Sequence, residues 1–401
     1  MRPSPALLLL PVLGLPLPLL AWAQDPPDAK VAADLVVHEW GTFTTVAGAD
    51  GRALEWRPLA QDSDLPGFVY TLGDEDLTGK RQGLRFAEDA VSVKKTTRGT
   101  VRMETPVLYF YTDRRQEAAV RVEFPGGRIT EWFPRAASVW THGIDWGRVL
   151  LLPGVDGPYP REATPNHYYP ARETDAATVQ VCSDGEPDTE RERFLFYRGV
   201  GTFPLPLEAR QRDDGGVVLV NVGDEVLPPA LVFENRGGEL RFTRTGRLAK
   251  GENVVGHPDR ATDREHVGRL LQGMLVLEGL FPKEAAAMVA TWKDQWFEEG
   301  LRVFWLVPRA RTDAILPLSV TPRPREVQRV LVGRLELLTP AFVARIRTLG
   351  RTLVEGDDAA RAAARRSLAA LGRFAELAIA RILVDCRNRK LADALREVLQ
   401  R

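Results

Sequence analysis

Short apolar runs punctuated by Gly and Pro recur from Asp34 to about Leu248, and this recurrence constrains the fold of the 401-residue chain more than any other feature. Runs of this length, rich in Val, Phe, Tyr and Trp and closed by turn formers, read as strands. Leu35 to Val46 is the first, followed by a turn over Ala47 to Gly51 and a return over Arg52 to Trp56. Val101 to Thr112 follows. Ala118 to Phe124 and Arg128 to Phe133, separated by Pro125-Gly126-Gly127, read as a hairpin. Arg148 to Leu152, Arg193 to Tyr197, Val217 to Val222, Ala230 to Asn235 and Leu240 to Thr245 continue the series, with Gly237-Gly238 joining the last two. Such a series predicts a mainly antiparallel β sandwich or barrel-like sheet.

Helical periodicity enters late. Val267, Leu270, Leu271, Met274 and Leu277 are spaced for one face of a helix over Thr262 to Leu277. Pro282 suits a first helical position and Gly300 a stop, which places a second helix near Lys283 to Glu299. Leu301 to Val307 and Val327 to Leu338 return to strand, and Thr339-Pro340 is an N-cap and N1 pair. Beyond it the pattern is helical: Ala359 to Leu371, Phe374 to Val384 and Lys390 to Leu399. The expected fold class is therefore α+β. A β-rich domain over residues 34–338 carries two inserted helices, near 262–277 and 283–299. An all-α segment over residues 339–401 follows it.

Two resemblances accompany this pattern. HEWGTFT (His38 to Thr44), METPVLYFY (Met103 to Tyr111), TEWFP (Thr130 to Pro134), FLFYRGVG (Phe194 to Gly201), TWKDQWFEEG (Thr291 to Gly300) and VGRLELLTP (Val332 to Pro340) resemble segments of a family of exported bacterial proteins. That resemblance implies export and a shared fold, and it brings no reaction, cofactor or ligand with it. The segment Ala364 to Leu383 resembles a HEAT-type repeat, roughly one and a half repeats long. A solenoid needs about three repeats, so the fragment must pack on the preceding domain or on a protein partner.

Met1 to Ala23 reads as a secretory signal peptide: Arg2, an apolar run from Ala6 to Leu20, and a small-residue site at Ala21-Trp22-Ala23. Pro11, Pro16 and Pro18 break the run too often for a membrane-spanning helix. Residues 24–33 read as a flexible spacer. The expected address is periplasmic or extracellular, with no membrane span once the leader is removed. Lys plus Arg and Asp plus Glu both number 54, so the chain lacks the basic excess of a nucleic-acid binder. An exported protein can join its two cysteines, Cys182 and Cys386. Neither sits in a CxxC motif, so neither suggests zinc or redox chemistry.

Catalytic motifs are sparse. There is no HExxH, GxSxG or P-loop, and the glycines from Gly216 to Gly223 fall within the strand series, away from any dinucleotide context. His38 and Glu39 are adjacent on a strand and point to opposite faces. His142 and Asp145, in THGIDWG, are spaced to meet one metal or substrate from a loop. His38 is a third candidate ligand, and His167 offers an alternative. His257, Asp259 and His266 form a looser group. Asp294 and Glu298, four apart beside Met288, Trp292 and Trp296, suggest paired carboxylates for acid/base chemistry of the glycosidase type. Glu131 and Glu104 are alternative acids. Trp40, Trp132, Trp140 and Trp146 are candidate platforms for a glycan or peptide, with Trp56 in the same β region; half-buried packing is the competing reading.

The sequence favours an exported binding or assembly module, with a C-terminal helical segment able to dock a protein partner. An extracytoplasmic hydrolase using paired carboxylates, with or without a metal, is the alternative. No motif names a cofactor.

Overall fold

The computed structural model describes residues 31–57, 59, 65–72, 97–181, 189–371 and 374–399. The leader, most of the spacer and Cys182 lie outside the described residues. The strands are β1 (Val31–Gly48), β2 (Tyr70–Thr71), β3 (Val101–Tyr111), β4 (Gln116–Glu123), β5 (Gly127–Phe133), β6 (Ser138–Trp140), β7 (Gly143–Leu152), β8 (Thr178–Val181), β9 (Glu190–Glu192) and β10 (Leu195–Gly201). They continue as β11 (Leu207–Gln211), β12 (Val217–Asn221), β13 (Leu231–Arg236), β14 (Glu239–Arg244), β15 (Gly251–Gly256), β16 (Arg260–Ala261), β17 (Gly300–Val307), β18 (Leu318–Thr321) and β19 (Arg323–Leu338). The helices are α1 (Arg264–Leu277), α2 (Pro282–Trp296), α3 (Arg309–Ile315), α4 (Pro340–Glu355), α5 (Asp358–Ala369), α6 (Phe374–Asp385) and α7 (Arg389–Leu399), with a short 3-10 turn at Tyr169–Arg172.

The protein is mixed α+β, with large, mostly antiparallel sheets and a helical C-terminal end. A ten-stranded sheet runs β16-β14-β13-β17-β19-β1-β3-β10-β5-β2. A six-stranded sheet runs β18-β4-β7-β8-β9, with β6 paired to β7, and a three-stranded sheet runs β11-β12-β15. The centre of the large sheet departs from the antiparallel expectation, because β1 and β19 run parallel from Val31↔Arg323 to Gly48↔Leu338. Parallel neighbours need a long crossover, and here most of the domain lies between them. Val31 to Ala33, expected in the spacer, open β1.

The expected hairpin around Pro125-Gly126-Gly127 does not form. β4 pairs with β7 and β18, whereas β5 pairs with β10 and β2. The tight turn, closed by Gly127 N–H donating to Phe124 O at 3.0 Å, carries the chain from one sheet into the other. Gly237-Gly238 does form its hairpin, with φ of 64° and 91°, a region that only glycine enters freely.

One core of aromatic and β-branched side chains fills the sheets and the inner faces of α1 and α2; Leu271 and Met288 are buried, and Leu270 packs against them from the rim. A second cluster joins Val46, Trp56 and Leu338 of the β part to Phe342, Ile346, Leu368, Phe374, Ile379 and Leu395 of α4–α7. The helical segment therefore has its partner within the chain. Thr339 caps α4, its Oγ1 accepting from Phe342 N–H at 3.1 Å, with Pro340 at N1. Asp357 caps α5 in the same way.

Candidate functional site

β17 covers β19 only from Leu331 to Leu337. The N-terminal half of β19, from Arg323 to Val330, therefore has β1 on one side and no strand on the other within the large sheet. The chain enters this half directly from β18, which belongs to the six-stranded sheet. Where the two sheets part, α3, β18 and β19 wall a cleft of about 520 Å³.

Strand geometry decides what faces it. Arg323, Arg325, Val327 and Arg329 alternate along β19, and all four line the cleft. Arg309 of α3 and Asp313 one turn later complete the polar wall; Pro317, Leu318 and Val320 supply an apolar one. Arg309 Nε donates to both oxygens of Asp313 at 2.9 and 2.7 Å, and its Nη1 donates to Val327 O at 2.6 Å. Arg323 and Arg325 are exposed and have no ion-pair partner among the described residues. Four guanidinium groups stand against two carboxylates, Asp313 in the wall and Glu39 beneath it, which leaves an excess of two positive charges.

The floor is Arg329, which is 3% exposed. Its Nε donates to Glu39 Oε2 at 2.5 Å, and its Nη1 donates to Asp313 Oδ1 at 2.9 Å and to Leu316 O at 2.7 Å. Glu39 also accepts from the hydroxyl of Tyr197. Burial opposes the charge on Arg329, and the Glu39 carboxylate outweighs it, holding the guanidinium protonated above its ordinary range. Burial and then the same carboxylate push the Tyr197 phenol well above its usual value. Nη2 of Arg329 is buried without a hydrogen-bond partner. The rest of the guanidinium is engaged by the fold, and the residue closes the base of a cationic cleft.

The opposite face of β1 carries His38. Its Nδ1 lies 2.8 Å from Glu284 Oε2, and Glu284 also accepts from Tyr111 Oη at 2.8 Å and from Phe281 N–H at 2.7 Å. The alternation of His38 and Glu39 thus holds, and His38 serves the N-terminus of α2.

The other sequence candidates separate. His142 is exposed in the β6–β7 turn, its Nδ1 donating to Gly127 O at 2.7 Å. Asp145 lies within β7, where a loop was expected, and accepts from Gly147 N–H at 2.7 Å. His167 packs on Trp292, with ring centroids 5.4 Å apart. Among the described residues no three His, Cys, Asp or Glu side chains are grouped to hold a metal. α2 ends at Trp296, so Glu298 does not share a helical face with Asp294. Asp294 is exposed, while Glu298 accepts from Arg334 Nη2 at 2.8 Å. Glu131 is buried on β5 and accepts from the Thr130 hydroxyl; Glu104 accepts from Thr44 at 2.9 Å. Trp40, Trp132 and Trp146 are core residues at 0%, 2% and 1% exposure, so no ligand reaches their faces. Trp140 is half-buried under the Arg121 guanidinium, 4.7 Å from its ring centre. Cys386 is a free thiol whose Sγ donates to Asn388 O at 3.4 Å.

The arginine cleft was missed, although RPREVQR, Arg323 to Arg329, carries its signal: cations at alternate positions of a strand.

No family model matches this chain, and no curated protein matches it. Among solved structures, one similar chain is described as "Fcho1 Mu homology domain (Danio Rerio) with bound Eps15 peptide". It is 9% identical at a TM-score of 0.29, over 77% of this chain and 98% of that one, a likeness too slight to carry an argument. No helix among the described residues is long and apolar enough to cross a membrane.

Proposed function

We propose that this protein is an exported binding module whose arginine cleft takes an acidic peptide segment. The observation that carries the reading is the pair of exposed arginines without an ion-pair partner among the described residues, Arg323 and Arg325, on the same strand face as the buried Arg329. Residues two apart on a strand stand about 6.7 Å from one another, which suits alternate acidic side chains of an extended ligand. Pro317, Leu318, Val320 and Val327 offer apolar contact between the charges, and among the described residues no aromatic ring lines the cleft to stack on a sugar. A peptide therefore fits better than a glycan. Export rests on the leader pattern and the family resemblance. We also read the two larger sheets as a sandwich, supported by Trp146 of β7 meeting Tyr197 of β10 at 6.0 Å, and the helical end as HEAT-like, supported by its run of four successive helices sharing one apolar cluster.

The buried carboxylates support binding over hydrolysis. Glu39, Glu104, Glu192, Glu284 and Glu336 are each held by a cation or by hydrogen-bond donors of the fold. The test is fluorescence anisotropy of a labelled extended peptide of alternating Glu and Leu, against its Gln counterpart. Binding is expected for the Glu peptide alone, weakening as salt screens the exposed arginines, and falling at least tenfold with Arg323→Glu, Arg325→Glu. Equal binding of the Gln peptide, or an unaffected double variant, would overturn the assignment.

A further inference from the structure

A second cleft, of about 610 Å³, lies away from the arginines of β19, between the 3-10 turn at Tyr169–Arg172, the start of β10 and the N-terminus of α2. It is lined by Arg161, Arg172, Arg193 and Lys283, by Asp156 and Glu173, and by Tyr159 and Thr174. Most of these charges are already matched. Arg172 is held by Glu192 at 2.7 Å, Lys283 by Asp175 at 2.6 Å, and Arg193 by Asp156. What remains unmatched has a definite chemistry. Thr174 is 8% exposed, and its Oγ1 is buried with no hydrogen-bond partner. Nε of Arg193 is likewise buried and unpaired, while its Nη1 donates to Ala176 O at 2.7 Å. Both unmet groups donate. On the rim, Arg161 lies over Tyr169 at 4.9 Å with no carboxylate partner among the described residues, and Glu173 has no cation partner there.

We propose that this cleft binds a small zwitterion of the α-amino-acid type, its carboxylate toward Thr174 and Arg193 and its ammonium toward Glu173. A hydroxyl and a guanidinium N–H in the lining of one cleft are both donors a carboxylate can accept from, and unmet buried donors gain most from such a partner. A simple anion leaves Glu173 without a cation partner; a simple cation leaves the donors of Thr174 and Arg193 unmet. Only a ligand carrying both charges satisfies both sides. The polar lining favours a compact ligand over an apolar one.

Calorimetric titration of the purified protein with the common α-amino acids, and with matched amines lacking the carboxylate and matched acids lacking the ammonium, tests this. At least one amino acid binds, and its two truncated analogues bind at least tenfold more weakly. Thr174→Val, which keeps shape and removes the hydroxyl, lowers that affinity at least tenfold while the thermal transition of the free protein stays unchanged. Arg323→Glu, Arg325→Glu leaves it intact, which separates this site from the peptide cleft. Absence of binding by every amino acid, equal binding of an acid lacking the ammonium, or undiminished binding by Thr174→Val overturns the proposal.

Discussion

Arg329 and Glu39 sit directly opposite one another across the parallel β1–β19 pair, and Nε of the one donates to Oε2 of the other at 2.5 Å with both side chains shut from solvent. The pair couples the centre of the sheet to the floor of the arginine cleft. Removing one partner leaves a buried charge unmatched, so Glu39→Leu or Arg329→Met alone is expected to cost about 3–5 kcal/mol. The double substitution should cost less than the two single changes added together. Urea denaturation of the four proteins measures the coupling; strict additivity would show that the pair is not a unit.

The tryptophans divide by position. Trp40→Ala and Trp146→Ala remove fully buried rings and are expected to cost about 3–5 kcal/mol each. Trp140→Ala loses a half-buried ring under Arg121 and should cost about 1 kcal/mol. Chemical denaturation ranks them, and a mild Trp146→Ala would contradict the core assignment.

Asp294 and Glu298 should behave independently. Asp294→Ala touches an exposed side chain and is expected to stay within about 0.5 kcal/mol. Glu298→Ala strips one carboxylate from the buried Arg334, which keeps Glu336 at 2.6 Å, and should cost about 1–3 kcal/mol. A double-mutant cycle is expected to give no coupling; a large coupling would revive the paired-carboxylate idea.

Tyr70 donates to Glu190 at 2.6 Å, and burial followed by that carboxylate raises its phenol from 10.0 to about 12. A group whose pKa is raised on folding contributes stability that is complete below its unfolded value and disappears as pH rises through its folded one. Wild-type stability should therefore fall between pH 10 and pH 12, and Tyr70→Phe should fall less steeply over the same window. Thermal melts across that range provide the comparison.

Local chemistry was legible wherever short-range rules apply. The Thr339-Pro340 cap, the Gly237-Gly238 hairpin and the opposed faces of His38 and Glu39 could all be read from neighbours in sequence, because caps, turns and strand alternation depend on a few adjacent residues. Pairing between distant strands was not legible. The Pro125-Gly126-Gly127 turn looks the same whether its flanks pair or part, and only the competition of β7 for β4 and of β10 for β5 decides. Nor does a helical period reveal where α2 stops, so the alignment of Asp294 with Glu298 disappeared at Trp296.

The sequence by itself determined most of the kinds of element and their caps, since these follow from the conformational preferences and spacing of neighbouring residues; the apolar face expected on α1 holds at Val267 and Leu271 but fails at Leu277, which is exposed because the helix ends there beyond the sheet it packs on. Tertiary structure alone decided that β1 lies parallel to β19, that Trp40, Trp132 and Trp146 are interior, and that β17 leaves half of β19 uncovered beside Arg323, Arg325 and Arg329. Those outcomes depend on contacts between segments from tens to hundreds of residues apart, where many pairings compete for the same apolar surface and the packing of the whole chain selects one.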